Sequence, residues 1–154
     1  MVKRQKPILI TEEGYNEKKI ELDQLNEKRV KAVEELSWAR DMGDRSENAA
    51  YKSARIKLSD IDRKVRYLES LLKRAQVVEK RSDGAVGIGS IATVQLDGRE
   101  IVYTLVGGHE SNLLAGKLSI FSPVGKALLG RRSGDRVSIQ IPAGVLDITL
   151  LSVR

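Results

Sequence analysis

From Tyr51 to Leu72 the apolar positions fall at Tyr51, Ala54, Leu58, Ile61, Val65, Leu68 and Leu72, alternating steps of three and four. That is the heptad seam of a coiled coil. Upstream, Leu22, Leu25, Ala32, Leu36 and Ala39 follow a similar rhythm, with Arg29 in one seam position and Lys18 where another apolar residue is expected. No proline interrupts residues 11–75. Thr11 is a good N-cap, and Glu12 and Glu13 follow where the helix dipole favours negative charge. Between the two runs lies "MGDRS", whose glycine breaks the helix. The two helices must therefore fold back as an antiparallel hairpin, each arm of roughly 30 residues reaching about 45 Å at ~1.5 Å per residue.

After "EKRSDGAVG" the pattern changes. "IGSIATVQL" and "REIVYTLVG" read as strands joined by Asp97-Gly98, a dipeptide suited to a tight hairpin turn. "KLSIF" is a further short strand. In "SPVGKALLG", Ser122 can cap a helix, Pro123 suits its first position and Gly130 can end it. "DRVSIQI" and "VLDITLLSV" flank "PAG" as a last hairpin. The expected fold class is α+β. A helical hairpin occupies 1–78, a linker 79–84, and a compact β-rich domain with one short helix 85–154.

Charge sharpens the picture of the hairpin. Glu12 to Asp41 holds six basic and nine acidic residues, a balance of −3; Arg45 to Arg74 holds nine and four, a balance of +5. An acidic arm lying against a basic one helps fix the pairing, although exposed pairs contribute only ~0–1 kcal/mol each. The whole chain carries a formal +6, which suggests an anionic partner. With no cysteine and one histidine, disulfides, thiolate chemistry and a zinc site are excluded. Absence of cysteine fits a reducing cytoplasm. The opening "MVKRQKPILI" is too short in its apolar run for a signal peptide or a membrane span.

Candidate chemistry gathers at the tip. Asp44 and Glu47 admit two readings that can both hold. Asp44 can cap the second helix with Glu47 completing a capping box. Alternatively, the two carboxylates bind a hard cation such as Mg2+, completing a site whose other half lies on a partner. Arg45, Lys52, Arg55 and Lys57 form either an ordinary solvated helix surface or a stripe that tracks a nucleic-acid backbone. Tyr51 is explained by core packing and could also stack on a base; Trp38 lies off the seam and reads as a packing residue. "GAVGIG" precedes a strand instead of opening a helix, and "VGKAL" lacks the phosphate-loop pattern. His109 reads as a loop residue. No nucleophile–base set is present, so an autonomous enzyme is not expected.

"GDRSENAAY" at the tip, "IDRKVRYL" on the returning helix, "SPVGKALLG" with "GDRVSIQIPAG" in the second half, and the "ITEEGY…ELDQL" opening together resemble the Gre family of bacterial transcript-cleavage elongation factors. The resemblance spans essentially the whole chain. It implies an FK506-binding-protein-like (FKBP-like) C-terminal domain that docks on RNA polymerase, and a coiled coil that enters the secondary channel. The partners so implied are RNA polymerase and the 3′ end of backtracked RNA, with no membrane involved and the protein monomeric. The expected role is to stimulate the polymerase's own Mg2+-dependent hydrolysis of the transcript. By motif position Asp44 goes to metal binding and Glu47 to positioning water or metal. Ser46 and Tyr51 support the tip, and Arg45, Lys52 and Arg55 contact RNA. Ala50 departs from the family pattern and removes a third acid. "DRSENA", "IDRKVRYL" and the basic charge lean toward the GreB side of the family, while the spacing at Ser53, Ala54 and Arg55 leans toward GreA. Two rival readings are a non-cleaving regulator of the same channel and a basic coiled-coil nucleic-acid-binding module.

Overall fold

The computed structural model describes residues 6–43 and 48–154. By contacts the chain divides into two compact units, residues 15–74 and a second unit made of the first 14 residues together with 75–154.

The first unit is the hairpin. Helix α1 spans Glu12–Asp41 and α2 spans Ala49–Arg74. Leu25, Val65 and Leu68 are buried between them, with Leu22 and Ile61 packed alongside. Ala32 and Ala39 are also buried, at 1% and 2% exposure, as small residues that leave room for the facing helix. Tyr51, Ala54, Leu58 and Leu72 keep intermediate exposure, because a two-helix unit covers one stripe of each helix and nothing more. Arg29 in the seam is accommodated by its Nε donating to Asp62 Oδ1 on the opposite helix at 2.6 Å, and Lys57 Nζ reaches Glu35 Oε2 at 2.6 Å. One of these pairs follows the acidic-arm, basic-arm division and the other reverses it. Lys18, the expected seam defect, pairs with Glu21 on its own helix at 2.9 Å.

The second unit is built on a five-stranded mixed sheet of order β5-β4-β3-β7-β6. The strands are β3 (Ile91–Leu96), β4 (Arg99–Val106), β5 (Lys117–Ser119), β6 (Arg136–Ile141) and β7 (Gly144–Val153). All neighbours are antiparallel except β4 and β5. The β3–β4 turn works as its sequence suggests: Asp97 and Gly98 both take positive φ, 48° and 76°, the combination of a type I′ turn. Alternation along the strands sends Ala92, Val94, Val137, Ile139, Ile148 and Leu150 to one face, where they meet Leu105, Leu118 and Leu128 in a single core. Helix α3 (Pro123–Leu128) has Ser122 as N-cap, its hydroxyl accepting from the Gly125 N–H at 3.0 Å.

A parallel pair escapes the sequence pattern. Strand β1 (Ile8–Ile10) lies beside β2 (Ala75–Val77), Ile8 opposite Ala75 and Ile10 opposite Val77. Ile10 is fully buried. Three-residue strands are too short to display an alternation, which is why neither was expected. No described helix is long and apolar enough to cross a membrane.

Candidate functional site

The end of the hairpin is defined by what stops one helix and starts the next. Helix α1 ends at Asp41; Met42 is exposed, and Gly43 has φ 150°, a conformation that favours glycine. A Cβ added at Gly43 would meet nothing within 4 Å. Asp44, Arg45, Ser46 and Glu47 lie outside the described residues. The chain resumes at Asn48, immediately before the first residue of α2.

Asn48 does two things at once. Its Oδ1 accepts from the Tyr51 N–H at 3.0 Å, which is N-cap geometry, and its Nδ2 donates to the Ala39 carbonyl at 2.6 Å. Its own carbonyl accepts from the Lys52 N–H at 3.1 Å, opening the helical ladder. The first N–H groups and the last C=O groups of a helix have no partner within it; here one side chain satisfies one of each, from two different helices. The expectation that Asp44 caps α2 with Glu47 in a capping box falls on residues outside the described ones; the N-cap bond described for α2 is made by Asn48. Asp44, Ser46 and Asn48 are all good cap types, and the sequence could not choose among them. Helix α2 begins at Ala49 and Asn48 stands at its N-cap, a residue that sequence reasoning missed.

Of the remaining tip candidates, Tyr51 is half-buried at the start of the seam, while Lys52 and Arg55 are exposed on α2. Trp38 is 66% exposed, so the packing reading fails. It borders a shallow groove with Ala39, Ala50, Ser53 and Ala54, and a two-helix unit offers no third layer to cover it. Among the described residues, no group of three or more His, Cys, Asp or Glu could hold a metal ion.

The second unit contains one buried carboxylate, Glu110, at 7% exposure. Glu110 Oε2 accepts from the Thr11 N–H at 3.0 Å and the Gly107 N–H at 3.1 Å, and its Oε1 accepts from the Thr11 hydroxyl. The Thr11 Oγ1 in turn accepts from the Gly14 N–H at 2.9 Å, the N-cap that the sequence leads one to expect. Glu110 thus ties the first turn of α1 to the loop after β4. Nothing in "GGHES" announces this, because its partner stands 99 positions away.

Residues 8–77 match the family model described as "Transcription elongation factor, N-terminal", and residues 81–154 match "Transcription elongation factor, GreA/GreB, C-term". The chain belongs to the GreA/GreB family of transcription elongation factors. It is 37% identical over 155 residues to transcription elongation factor GreA of Chloroflexus aurantiacus, covering 97% of this chain and 99% of that protein. It is 38% identical over 151 residues to GreA of Thermomicrobium roseum, covering 96% and 97%. Among solved structures, GreA factor homolog 1 of Thermus thermophilus is 27% identical and covers 97% of this chain and 99% of its own, with a TM-score of 0.47, too loose a superposition to support an argument. Both relatives carry the GreA name, which corrects the lean toward GreB. That lean rested partly on "IDRKVRYL", whose Arg63 and Lys64 are exposed and whose Asp62 is occupied with Arg29.

Proposed function

We infer that this protein is an accessory factor of transcription elongation. It acts at the RNA polymerase secondary channel and promotes cleavage of backtracked RNA, and the hydrolytic activity it stimulates belongs to the polymerase. The observation that carries this reading is the family match across both halves of the chain, on a fold whose first unit is a two-helix coiled coil.

We further propose that Asp44 and Glu47 are the working carboxylates. Supporting this, the cap of α2 is supplied by Asn48, so the helix start does not depend on them. Two carboxylates are hard oxygen donors of the kind Mg2+ prefers, and they are too few to satisfy its octahedral shell. The donor set therefore fits an ion shared with the polymerase. Mg2+ held there would lower the pKa of a bound water and stabilise charge on the phosphate oxygens. On this reading Asp44 binds the ion and Glu47 orients the water or the ion. Ser46 and Tyr51 brace the tip, and Arg45, Lys52 and Arg55 meet phosphates of the extruded RNA 3′ end, where each cation adds a salt-dependent contribution. The exposure of Lys52 and Arg55 is compatible with that contact.

We also propose that the globular unit is FKBP-like and is the part that docks on polymerase. The match of residues 81–154 to the family's C-terminal model supports the docking role. The protein works as a cytoplasmic monomer.

The test uses stalled, backtracked polymerase carrying 3′-labelled RNA, with Mg2+. The wild-type protein should release short labelled fragments. Asp44→Asn and Glu47→Gln should each abolish release while still competing with wild type for polymerase. Undiminished cleavage by both variants would overturn the assignment of the acids; binding to free nucleic acid with no effect on polymerase would overturn the functional reading.

A further inference from the structure

We propose that Asn48 is the positioning residue of the tip, acting as a two-sided clamp that fixes the separation of the helix ends flanking the acid-bearing segment. The inference rests on the reading above, since it concerns how that segment is held.

Its basis is the pair of bonds made by one side chain. Capping alone does not call for asparagine, because Ser, Asp and Thr cap a helix comparably. What those residues lack is a donor and an acceptor on separate atoms: a carboxylate has no donor, and a hydroxyl carries both functions on one oxygen. The carboxamide carries an acceptor and two donors on one planar group, and both kinds are used: Oδ1 takes the Tyr51 N–H and Nδ2 gives to the Ala39 carbonyl. The partners fix which end is which, since Tyr51 N–H can only donate and the Ala39 carbonyl can only accept. The side chain is half-buried, so water competes less for these bonds than at an open surface.

The consequence is geometric. The Ala39–Asn48 bond closes a span of nine positions, and within it lie Gly43, Asp44 and Glu47. Ala39 is itself 2% exposed in the seam, so the clamp's far anchor is immobile. The bond fixes the spacing of the two helix ends from which that segment is hung. Catalysis by supplied ligands depends steeply on placement: a shift of about 1 Å can cost ~10²-fold in rate.

Asn48→Asp and Asn48→Ser separate clamp from cap: the carboxylate keeps an acceptor for Tyr51 N–H and has no donor for Ala39, and the serine hydroxyl puts donor and acceptor on one atom with a shorter reach. Ser changes the reach without adding charge, and Asp removes the donor while capping comparably. On backtracked polymerase, both should keep the wild-type half-saturating concentration, with a melting temperature lowered by no more than one lost hydrogen bond accounts for. Their cleavage rate at saturation should fall by about ten- to a hundredfold. A wild-type rate at saturation in either variant overturns the proposal. A second readout is independent of cleavage. The chain has no cysteine, so spin labels can be placed through Ser37→Cys and Ser53→Cys without background. The distance distribution between them should be narrow with Asn48 and broader with Asn48→Ser. Equal widths overturn the clamp even if cleavage falls. If the widths differ as expected but wild type releases no fragments, the clamp stands as geometry and the functional reading is what fails.

Discussion

Replacing Gly14 by alanine sets two effects of opposite sign against each other. Gly14 is the third residue of α1, and in an ordinary helix the change would stabilise by about 1 kcal/mol. Here an alanine Cβ would come 1.9 Å from Glu110 Oε1 and 2.4 Å from its Cδ. A free side chain would swing aside. Glu110 cannot, because it is buried and its two oxygens accept from the Thr11 N–H, the Thr11 hydroxyl and the Gly107 N–H. Moving it strains hydrogen bonds to a charged group, each contributing about 1.5–3 kcal/mol, and overpacking of this kind costs about 1–3 kcal/mol. Set against the helix gain, the net is a loss of about 2 kcal/mol. Urea unfolding of wild type, Gly14→Ala, Glu110→Ala and the double variant measures it. In the Glu110→Ala background the obstructing atoms are gone, so the same glycine substitution should stabilise by about 1 kcal/mol. The sign should reverse, with a coupling of about 3 kcal/mol. Equal effects in the two backgrounds would refute the reasoning, as would a stabilised Gly14→Ala single variant.

Other outcomes follow from burial and charge. Leu68→Ala, at 2% exposure, should cost about 2–5 kcal/mol, whereas Trp38→Ala, at 66% exposure, should stay within about 0.5 kcal/mol; thermal melts showing comparable losses would contradict the exposed placement of Trp38. Hydrogen bonding from the Arg81 guanidinium, with the Ala85 N–H assisting, holds the Asp83 carboxyl down at about 2 instead of 3.8. Because the folded value is depressed, whatever this exposed pair contributes is present above the ordinary carboxylate range and lost as pH falls through about 2. Carboxyl NMR titration should show that midpoint, and Arg81→Ala should move it back toward 3.8. Asp44→Asn and Glu47→Gln should each leave unfolding free energy within about 0.5 kcal/mol of wild type, since the cap bonds belong to Asn48; a loss above about 1 kcal/mol, the usual cost of a deleted cap, would return the capping role to the acids.

How much of this was legible depended on the range over which each signal acts. The hairpin seam repeats through six steps of three and four, so a single irregular position such as Arg29 could not hide it. The strand pair around Asp97-Gly98 was equally plain, because turn chemistry and alternation agreed. Failures came where one residue's role is set by another far along the chain or by a choice among equals. Ile8–Ile10 becomes a strand only because Ala75–Val77 is available to pair with it. Glu110 is an ordinary loop acid until Thr11 is brought to it. Trp38 was assigned to packing on the habit of its residue type, although its position off the seam already argued that two helices alone would leave it uncovered.

The tip shows the same limit with a functional consequence. Seven residues from Asp44 to Ala50 contain three competent caps, and a helix start can be read from any of them. Local preference cannot rank them, because the deciding bond comes from the other helix: Asn48, with donor and acceptor on separate atoms, donates to the Ala39 carbonyl while accepting from α2. That second bond removes the need for an acid at the cap. Carboxylates placed just ahead of a helix that is already capped still feel the favourable end of its dipole, worth about 0.3–1 kcal/mol at an exposed site, yet the start of the helix does not require them. On the proposed reading, an acidic pair that the cap of α2 does not require is free to be selected for what its oxygens can hold on behalf of a partner.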